Sequence, residues 1–218
     1  MEQDIAILMA DLSGYTALTE THGSVSAADL IDKYISIAES CLAGNTKMHE
    51  RTGDEIMFIS DSPDSLLETA LKLEANTVCE DNFLLVHGGL HYGKVLKRAG
   101  NYFGSAINLV SRIASKAVPG TFWCSDDFVC SIKDRSICKF ISKGNHAFKN
   151  IAEEKEVFEL SIEKMKTMYV DPVCRMLIVN LQNAISHPKE AGLYFCSSHC
   201  FKIYEDATSM TEPKQFEN

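Results

Sequence analysis

Two aspartates lie at positions where they can bind the same metal ions. Asp11 ends the apolar run IAILMADL, which has the length of a strand, and Asp54 follows Gly53 in a predicted hairpin turn. Two carboxylates at adjacent strand ends or turns can share a pair of Mg²⁺ or Mn²⁺ ions, because these hard cations prefer oxygen ligands. The competing interpretation is that each Asp only forms a turn.

Two further features add to this pair. Residues 12–16 (LSGYT) turn tightly into a predicted helix, where free backbone N–H groups can hold phosphate oxygens. Asn108 and Arg112 lie four positions apart in a later predicted helix, so they share one helix face. Their neighbours are apolar, which a solvated polar face does not explain. The spacing therefore predicts that both side chains project into one cleft.

The elements that must position these residues follow from the apolar pattern. Predicted strands cover residues 5–12, 47–50, 56–59, 83–95 and 156–160, and predicted helices cover residues 26–42, 63–77 and 105–117. Gly88 and Gly89 inside a strand indicate close approach of another backbone. The order of elements predicts an α/β (α+β) fold with helices on one face of a largely antiparallel sheet.

Composition limits the class of protein. The chain of 218 residues is 45% hydrophobic and 23% charged, which is typical of one globular domain plus a small appendage. A net charge of −9 disfavours a nucleic-acid binder, which needs a basic face. The start has no signal-peptide features, and no uncharged apolar stretch reaches about 20 residues. We therefore expect no transmembrane segment, a cytoplasmic location and reduced cysteines.

Four segments, in order, resemble motifs of the class III adenylate and guanylate cyclases. AILMADLSGYTALTE resembles the first metal motif, ERTGDEIMF the second, and HGGLHYGKV the glycine-rich strand. GNYFGSAINLVSRIASKAVPG resembles the helix that carries the catalytic Asn and Arg. The resemblance covers nearly all of residues 5–160. It implies a ferredoxin-like cyclase sheet with helices in a catalytic domain of residues 1–161.

The resemblance also implies a reaction and its residues. The 3′-oxygen of a nucleoside triphosphate would attack the α-phosphorus in line, giving a 3′,5′-cyclic monophosphate and pyrophosphate. Asp11, Asp54 and the backbone carbonyl of Leu12 would bind two Mg²⁺ or Mn²⁺ ions in each active site. Asn108 would orient the ribose, and Arg112 would stabilise charge on the α-phosphate.

Further roles follow from the same resemblance. Gly14, Tyr15 and Thr16 would hold the phosphates, and Lys149 resembles the family's lysine that meets the terminal phosphates. In this family the metal aspartates and the Asn/Arg pair of one site come from opposite protomers. This chain carries both halves, so the resemblance implies a homodimer with two equivalent sites in its interface.

The residues that would recognise the base do not decide between ATP and GTP as the substrate. Adenylate cyclases usually carry Lys four residues before the second metal aspartate, where this chain has Glu50. A carboxylate there can accept the guanine N1–H and amino hydrogens. Asn101, at the second discriminating position, offers both a donor and an acceptor and decides nothing alone. The alternative is that Glu50 is a solvated carboxylate that never touches a base.

The C-terminal part resembles a YHS domain, a small treble-clef-like module. DPVCRM at residues 171–176 and YFCSSHC at residues 194–200 carry this resemblance. We expect a linker at 162–168, the module at 169–208 and a tail at 209–218. Three thiols suit Zn²⁺ or Cu⁺, and they belong to Cys174, Cys196 and Cys200. The candidates for a fourth ligand are His199, His187 and Asp171.

Two interpretations of this module remain. The cysteines either bind metal or act as small hydrophobic residues in a mini-core, and Arg175 replaces the glycine usual after the first cysteine. The sequence therefore supports two main hypotheses for the whole chain, with a metal chaperone that carries a cyclase-like scaffold as a third. One is an active cyclase tuned by metal or redox state at the module. The other is a catalytically silent, dimerising, nucleotide-binding module with a metal-sensing YHS domain.

Overall fold

The computed structural model describes residues 2–161 and 168–211, with side chains to residue 209. The predicted linker at 162–168 lies outside the described residues except for Met168, and the predicted tail lies outside them from residue 212. The strands are β1 (Glu2–Ser13), β2 (Lys47–Thr52), β3 (Glu55–Ser60), β4 (Phe83–Arg98), β5 (Asn101–Phe103), β6 (Phe122–Ser125), β7 (Lys139–His146), β8 (Lys155–Ser161), β9 (Tyr169–Val170), β10 (Met176–Ile178), β11 (Ile185–Ser186) and β12 (Tyr194–Phe195). The helices are α1 (Tyr15–Ser40), α2 (Pro63–Thr77), α3 (Ser105–Ala114), α4 (Asp126–Ser131) and α5 (Ser198–Thr211).

The main sheet is a mixed sheet in the order β2-β3-β1-β4-β6-β8-β7. The β4–β6 pair is parallel, and the other neighbours on this path are antiparallel. The predicted α+β fold with a largely antiparallel sheet is therefore confirmed. The predicted hairpin is also confirmed, since β2 pairs with β3 around residues 53 and 54.

Helices cover both faces of this sheet. Ala6 and Leu8 of β1 pack in the cluster that contains the buried residues of α1 and α2. Ile5 and Ile7, which alternate with them, pack against α3 in a second cluster. The expectation that helices lie on one face only is therefore wrong. The reason is visible in β1, where successive residues point to opposite faces and both sets are apolar.

Gly89 in β4 allows α3 to lie directly on the sheet. A Cβ placed on Gly89 would lie 2.5 Å from Ala114 N and 2.6 Å from Val110 O. No side chain fits in that space, so the predicted close backbone approach is confirmed. A Cβ on Gly88 would meet the backbone oxygen of Met9 at 2.6 Å. Gly89 thus allows the close approach of α3, whereas Gly88 leaves space for the β1 backbone and the ring of Phe122.

Helix α1 is longer than predicted and is broken near its start. It begins at Tyr15 after the turn at Gly14, and Gly23 interrupts it with φ 82° and ψ 168°. Such dihedral angles are accessible almost only to glycine. The first segment therefore ends at His22, and the predicted helix at residues 26–42 corresponds to the second segment. Helix α3 also ends earlier than predicted, at Ala114.

The cysteine-containing module is joined to the main sheet. Strand β10 pairs with the start of β4, with Leu177 opposite Phe83, and β9 pairs with β10. One carboxylate oxygen of Asp81 accepts hydrogen bonds from the backbone N–H groups of Val179 at 3.0 Å and Asn180 at 3.2 Å. The module is thus docked on the larger part of the chain. Among the described helices, none has the length and hydropathy needed to cross a bilayer.

Candidate active site

Asp11 and Asp54 lie side by side at one end of the central strands. Ala10 of β1 pairs with Ile56 of β3, which places Asp11 beside the β2–β3 turn that contains Asp54. The two carboxyl groups are close enough that each affects the pKa of the other. Burial raises the pKa of Asp11. Burial and the negative charge of Asp11 raise the pKa of Asp54 to about 6.

This arrangement fits a divalent cation. Two half-buried carboxylates that repel each other are stabilised when positive charge lies between them. Glu55 adds to the negative potential, and burial together with Asp54 raises the pKa of its carboxyl group. The donor atoms are oxygens, and Asp11 and Asp54 are the residues that could hold such an ion.

A histidine lies beside the aspartates. His87 of β4 is directly opposite Asp11 in the sheet, and its Nδ1 is 2.8 Å from Ser13 Oγ. Burial lowers the pKa of the His87 imidazole, while the charge of Asp54 acts in the opposite direction. The sequence interpretation missed His87. Its place immediately before Gly88 predicts that it lies in a strand, but only the strand register places it opposite Asp11.

The turn after β1 leads directly into α1. Gly14 is the N-cap residue with φ 95°, and its carbonyl accepts the N–H of Leu18 at 3.0 Å. Tyr15 packs partly against the core, and Thr16 is exposed. The first turn of a helix has backbone N–H groups without intrahelical acceptors. These groups therefore lie three to five residues after Asp11 in the chain.

Asn108 and Arg112 are both exposed on α3. Their neighbours Leu109 and Ile113 are buried against Trp123 and Val157. Neither polar side chain makes a hydrogen bond or ion pair with another residue in the described part of the chain. Both are therefore available to contact a ligand or a second protomer.

The other predicted contacts are distributed over three surface segments. Glu50 lies on β2 at a register shift, and its charge contributes to raising the pKa of Glu55. Asn101 begins β5, and Lys149 follows the buried Phe148 after β7. All three predicted residues are exposed. Of these, the structure brings Glu50 near the acidic site, and no hydrogen bond or ion pair among the described residues links Asn101 or Lys149 to it.

The three predicted cysteine ligands of the module come together. Cys196 Sγ is 3.5 Å from Cys174 Sγ and 3.6 Å from Cys200 Sγ. The hydrogen bond with Cys174 lowers the pKa of the Cys196 thiol to about 6. The fourth member of the cluster is His22 of α1, whose Nε2 is 3.5 Å from Cys200 Sγ.

The three residues considered as a fourth ligand lie outside the cluster. His199 is exposed, and its ring meets that of His22 edge-on at 6.5 Å between centroids. Nε2 of His187 is 2.9 Å from Glu205 Oε1. Asp171 uses both carboxylate oxygens to accept backbone N–H groups. His22 could not be found from spacing, because it lies 174 positions before Cys196.

Comparison with known proteins gives related sequences and a related fold. No protein-family model matches the chain. It is 34% identical over 112 residues to an uncharacterized protein of Mycobacterium tuberculosis, covering 51% of this chain and 30% of that protein. It is 30% identical over 124 residues to a pH-sensitive adenylate cyclase of the same species, covering 57% of this chain and 31% of that enzyme. The chain thus spans about a third of the length of these curated relatives.

Solved structures extend the comparison to the whole larger part of the chain. The adenylate cyclase of Trypanosoma brucei in its monomeric state superposes with a TM-score of 0.66 and 17% identity, covering 72% of this chain and 89% of that one. The mixed α+β fold described above is therefore the fold of an adenylate cyclase catalytic domain.

Proposed function

We propose that this chain is a class III nucleotidyl cyclase that converts a purine nucleoside triphosphate to its 3′,5′-cyclic monophosphate and pyrophosphate. The observation that carries the proposal is the paired Asp11 and Asp54, which lie next to the glycine turn that opens α1. Similarity to a named adenylate cyclase and the cyclase fold support it.

The chain's own residues define the mechanism. Asp11, Asp54 and the Leu12 carbonyl would hold two Mg²⁺ or Mn²⁺ ions. Ions bound there would lower the pKa of the ribose 3′-hydroxyl and offset the charge of the triphosphate. The N–H groups of the turn at residues 14–16 would hold phosphate oxygens, and Lys149 would meet the terminal phosphates. Positioning and electrostatics then supply most of the rate enhancement.

The second half of each site would come from a second protomer. Asn108 would orient the ribose, and Arg112 would stabilise negative charge on the α-phosphate as the 3′-oxygen attacks. Their exposure on α3, without polar side-chain partners among the described residues, supports a role across an interface. The active unit is then a homodimer with two equivalent sites.

Glu50 supports recognition of guanine, whereas the named relative is an adenylate cyclase. The position of Glu50 beside Glu55, at the edge of the acidic site, supports its contact with the base. A carboxylate accepts two hydrogen bonds from guanine and has no donor for adenine. GTP and ATP are therefore both substrates to test.

The deciding experiment is to incubate the purified chain with Mn²⁺ and each of the four nucleoside triphosphates. Mass spectrometry should find a 3′,5′-cyclic purine nucleotide and pyrophosphate, and Asp54→Ala should abolish both. Asp61→Ala is the matched control, because Asp61 follows β3 as Asp54 precedes it, and this variant should retain activity. Nucleotide binding without any cyclic product would instead favour the catalytically silent module.

A further inference from the structure

The cluster of three thiols and one imidazole has the dimensions of a tetrahedral metal site. With Zn–S bonds of about 2.3 Å and a Zn–N bond of about 2.0 Å, tetrahedral geometry places sulfurs about 3.8 Å apart and sulfur and nitrogen about 3.5 Å apart. The observed separations are 3.5 and 3.6 Å between sulfurs and 3.6 and 3.5 Å from His22 Nε2 to Cys196 and Cys200. All four ligand atoms lie within 4.8 Å of one another.

We infer that His22, Cys174, Cys196 and Cys200 form one Zn²⁺ site, in which the cyclase-like part of the chain supplies one ligand and the C-terminal module supplies three. A set of three sulfurs and one nitrogen is typical of closed structural zinc sites. The module alone cannot complete this set, since His199 and His187 lie outside it.

The ligands are held in place by surrounding contacts. Asp171 is fully buried, and its carboxylate accepts N–H groups from Cys174 at 3.2 Å and Cys196 at 2.7 Å. Ser197 Oγ accepts the N–H of Cys200 at 3.2 Å at the start of α5. Cys174 and Cys200 are themselves fully buried. These contacts hold the three thiols close to one point.

The position of His22 extends the effect of such a site to the proposed active site. His22 ends the first segment of α1, which begins at Tyr15 after the N-cap Gly14. On the module's side, Arg175 follows Cys174 and packs its Cβ against Gly14. A bound ion would therefore fix both ends of the short segment 14–22 against the module. The consequence for catalysis rests on the proposed function, whereas metal binding itself does not.

Metal binding is tested on the full chain after removal of metal and reconstitution with Zn²⁺ or Co²⁺. We expect one ion per chain by elemental analysis, and visible absorption from tetrahedral Co²⁺ with thiolate charge transfer. Competition with a chelating dye should show that His22→Ala weakens Zn²⁺ binding by at least about tenfold and alters the Co²⁺ spectrum. His199→Ala is the matched control and should bind as wild type does. Cys196→Ser should lose the tetrahedral spectrum.

Two results would overturn the inference. One is unchanged Zn²⁺ affinity and Co²⁺ spectrum in His22→Ala, which would confine the site to the module. The other is the absence of any bound ion, whether Zn²⁺ or Cu⁺, from reduced wild-type protein. A disulfide between Cys174 and Cys196 in place of the ion would count as the same result. Selective binding of Cu⁺ over Zn²⁺ would also contradict the assignment of zinc.

Hydrogen exchange tests whether bound Zn²⁺ stabilises the segment 14–22, and it requires no measurement of activity. Zn²⁺ should slow exchange in peptides covering this segment in wild type and His199→Ala, but not in His22→Ala. Equal exchange with and without Zn²⁺ in wild type would refute the link. If the chain has no cyclase activity, these exchange and binding results still stand, so failure of the two proposals is distinguishable.

Discussion

Arg175 packs so closely on Gly14 that a Cβ placed on Gly14 would lie 2.4 Å from the Arg175 Cβ. Both residues have positive φ, 95° at Gly14 and 69° at Arg175. Arg175 thus makes the tight turn for which a glycine is usual, at a conformational cost of about 1–2 kcal/mol. The contact joins the knuckle of the module to the proposed phosphate-binding turn.

Replacing Gly14 tests this contact. Gly14→Ala should lower the free energy of unfolding by at least about 1–2 kcal/mol, because alanine is strained at this φ and its Cβ meets Arg175. Urea unfolding of Gly14→Ala, Arg175→Gly and the double variant measures the coupling between them. The double variant should recover the steric part of the loss. Strictly additive effects would contradict direct packing.

The break in α1 gives a second prediction. Gly23→Ala meets no atom within 4 Å, so its effect comes from backbone strain alone, about 1–3 kcal/mol. Relief of this strain would displace His22, and we expect a lower melting temperature together with weaker Zn²⁺ binding. Ser24→Ala, at the exposed next residue, is the control and should change neither. If Gly23→Ala is destabilised but binds Zn²⁺ as tightly as wild type, the break in α1 is not needed to position His22 in the metal site.

Mixing inactive variants tests the shared active site. Asp54→Ala and Arg112→Ala should each be inactive alone, whereas their equimolar mixture should regain about a quarter of wild-type activity. Half of the randomly formed dimers are then mixed, and one of their two sites is intact. Asp11→Ala mixed with Asp54→Ala should regain nothing, because both changes affect the same half. An inactive first mixture would contradict a site shared between protomers.

Base recognition depends on the charge at position 50. Glu50→Lys should lower kcat/KM for GTP by at least about tenfold relative to ATP, because lysine cannot accept the guanine N1–H. Steady-state rates with both nucleotides measure the ratio. Glu39→Lys introduces the same charge change at an exposed site on α1 and should leave it unchanged. An unaltered ratio in Glu50→Lys would mean that Glu50 does not contact the base.

His91, which is not among the proposed metal ligands, makes the free energy of unfolding depend on pH. Its Nδ1 is 2.7 Å from Ser125 Oγ, and burial lowers the pKa of the imidazole below its ordinary 6.5. The charge of Asp127 raises the pKa of His91, whereas the charge of Lys155 lowers it further. Below pH 6.5 the unfolded chain therefore binds a proton that the folded chain excludes, and the free energy of unfolding falls as pH decreases.

The variant His91→Asn tests this pH dependence, because asparagine retains a polar group near Ser125 but does not titrate. Between pH 7 and 5 its melting temperature should fall less than that of wild type, and His199→Asn should behave as wild type does. Parallel pH profiles for wild type and His91→Asn would show that His91 does not contribute to the acid sensitivity.

The sequence predicted those parts of the fold that are determined by local apolar pattern. The helix at residues 63–77 has both a proline start and regular spacing, and its bounds match the structure. A helix start was predicted after residues 12–16, but the extent of the first segment of α1 was missed because TALTETHG is mostly polar. The placement of α3 on the second sheet face was missed because the continuous apolar run of β1 shows burial on both faces without identifying what covers each.

The residues of the candidate sites also divide into those that local sequence predicts and those that only tertiary contacts reveal. Asp11, Asp54 and the module's cysteines lie in short motifs that local sequence can display. His22 and His87 take part through tertiary contacts, one through docking of the module and one through strand register. Nothing near either residue in the sequence specifies those contacts, so they became visible only in three dimensions.

Asp171 determines how the module would meet its ion. One of its carboxylate oxygens accepts the N–H groups of Val173 and Cys174, and the other accepts that of Cys196. A peptide that folds around zinc loses conformational entropy as it binds, which weakens its affinity. Here a buried carboxylate joins the two cysteine segments through backbone hydrogen bonds. This link would reduce the entropy lost when the proposed site binds an ion, and would thereby raise its affinity.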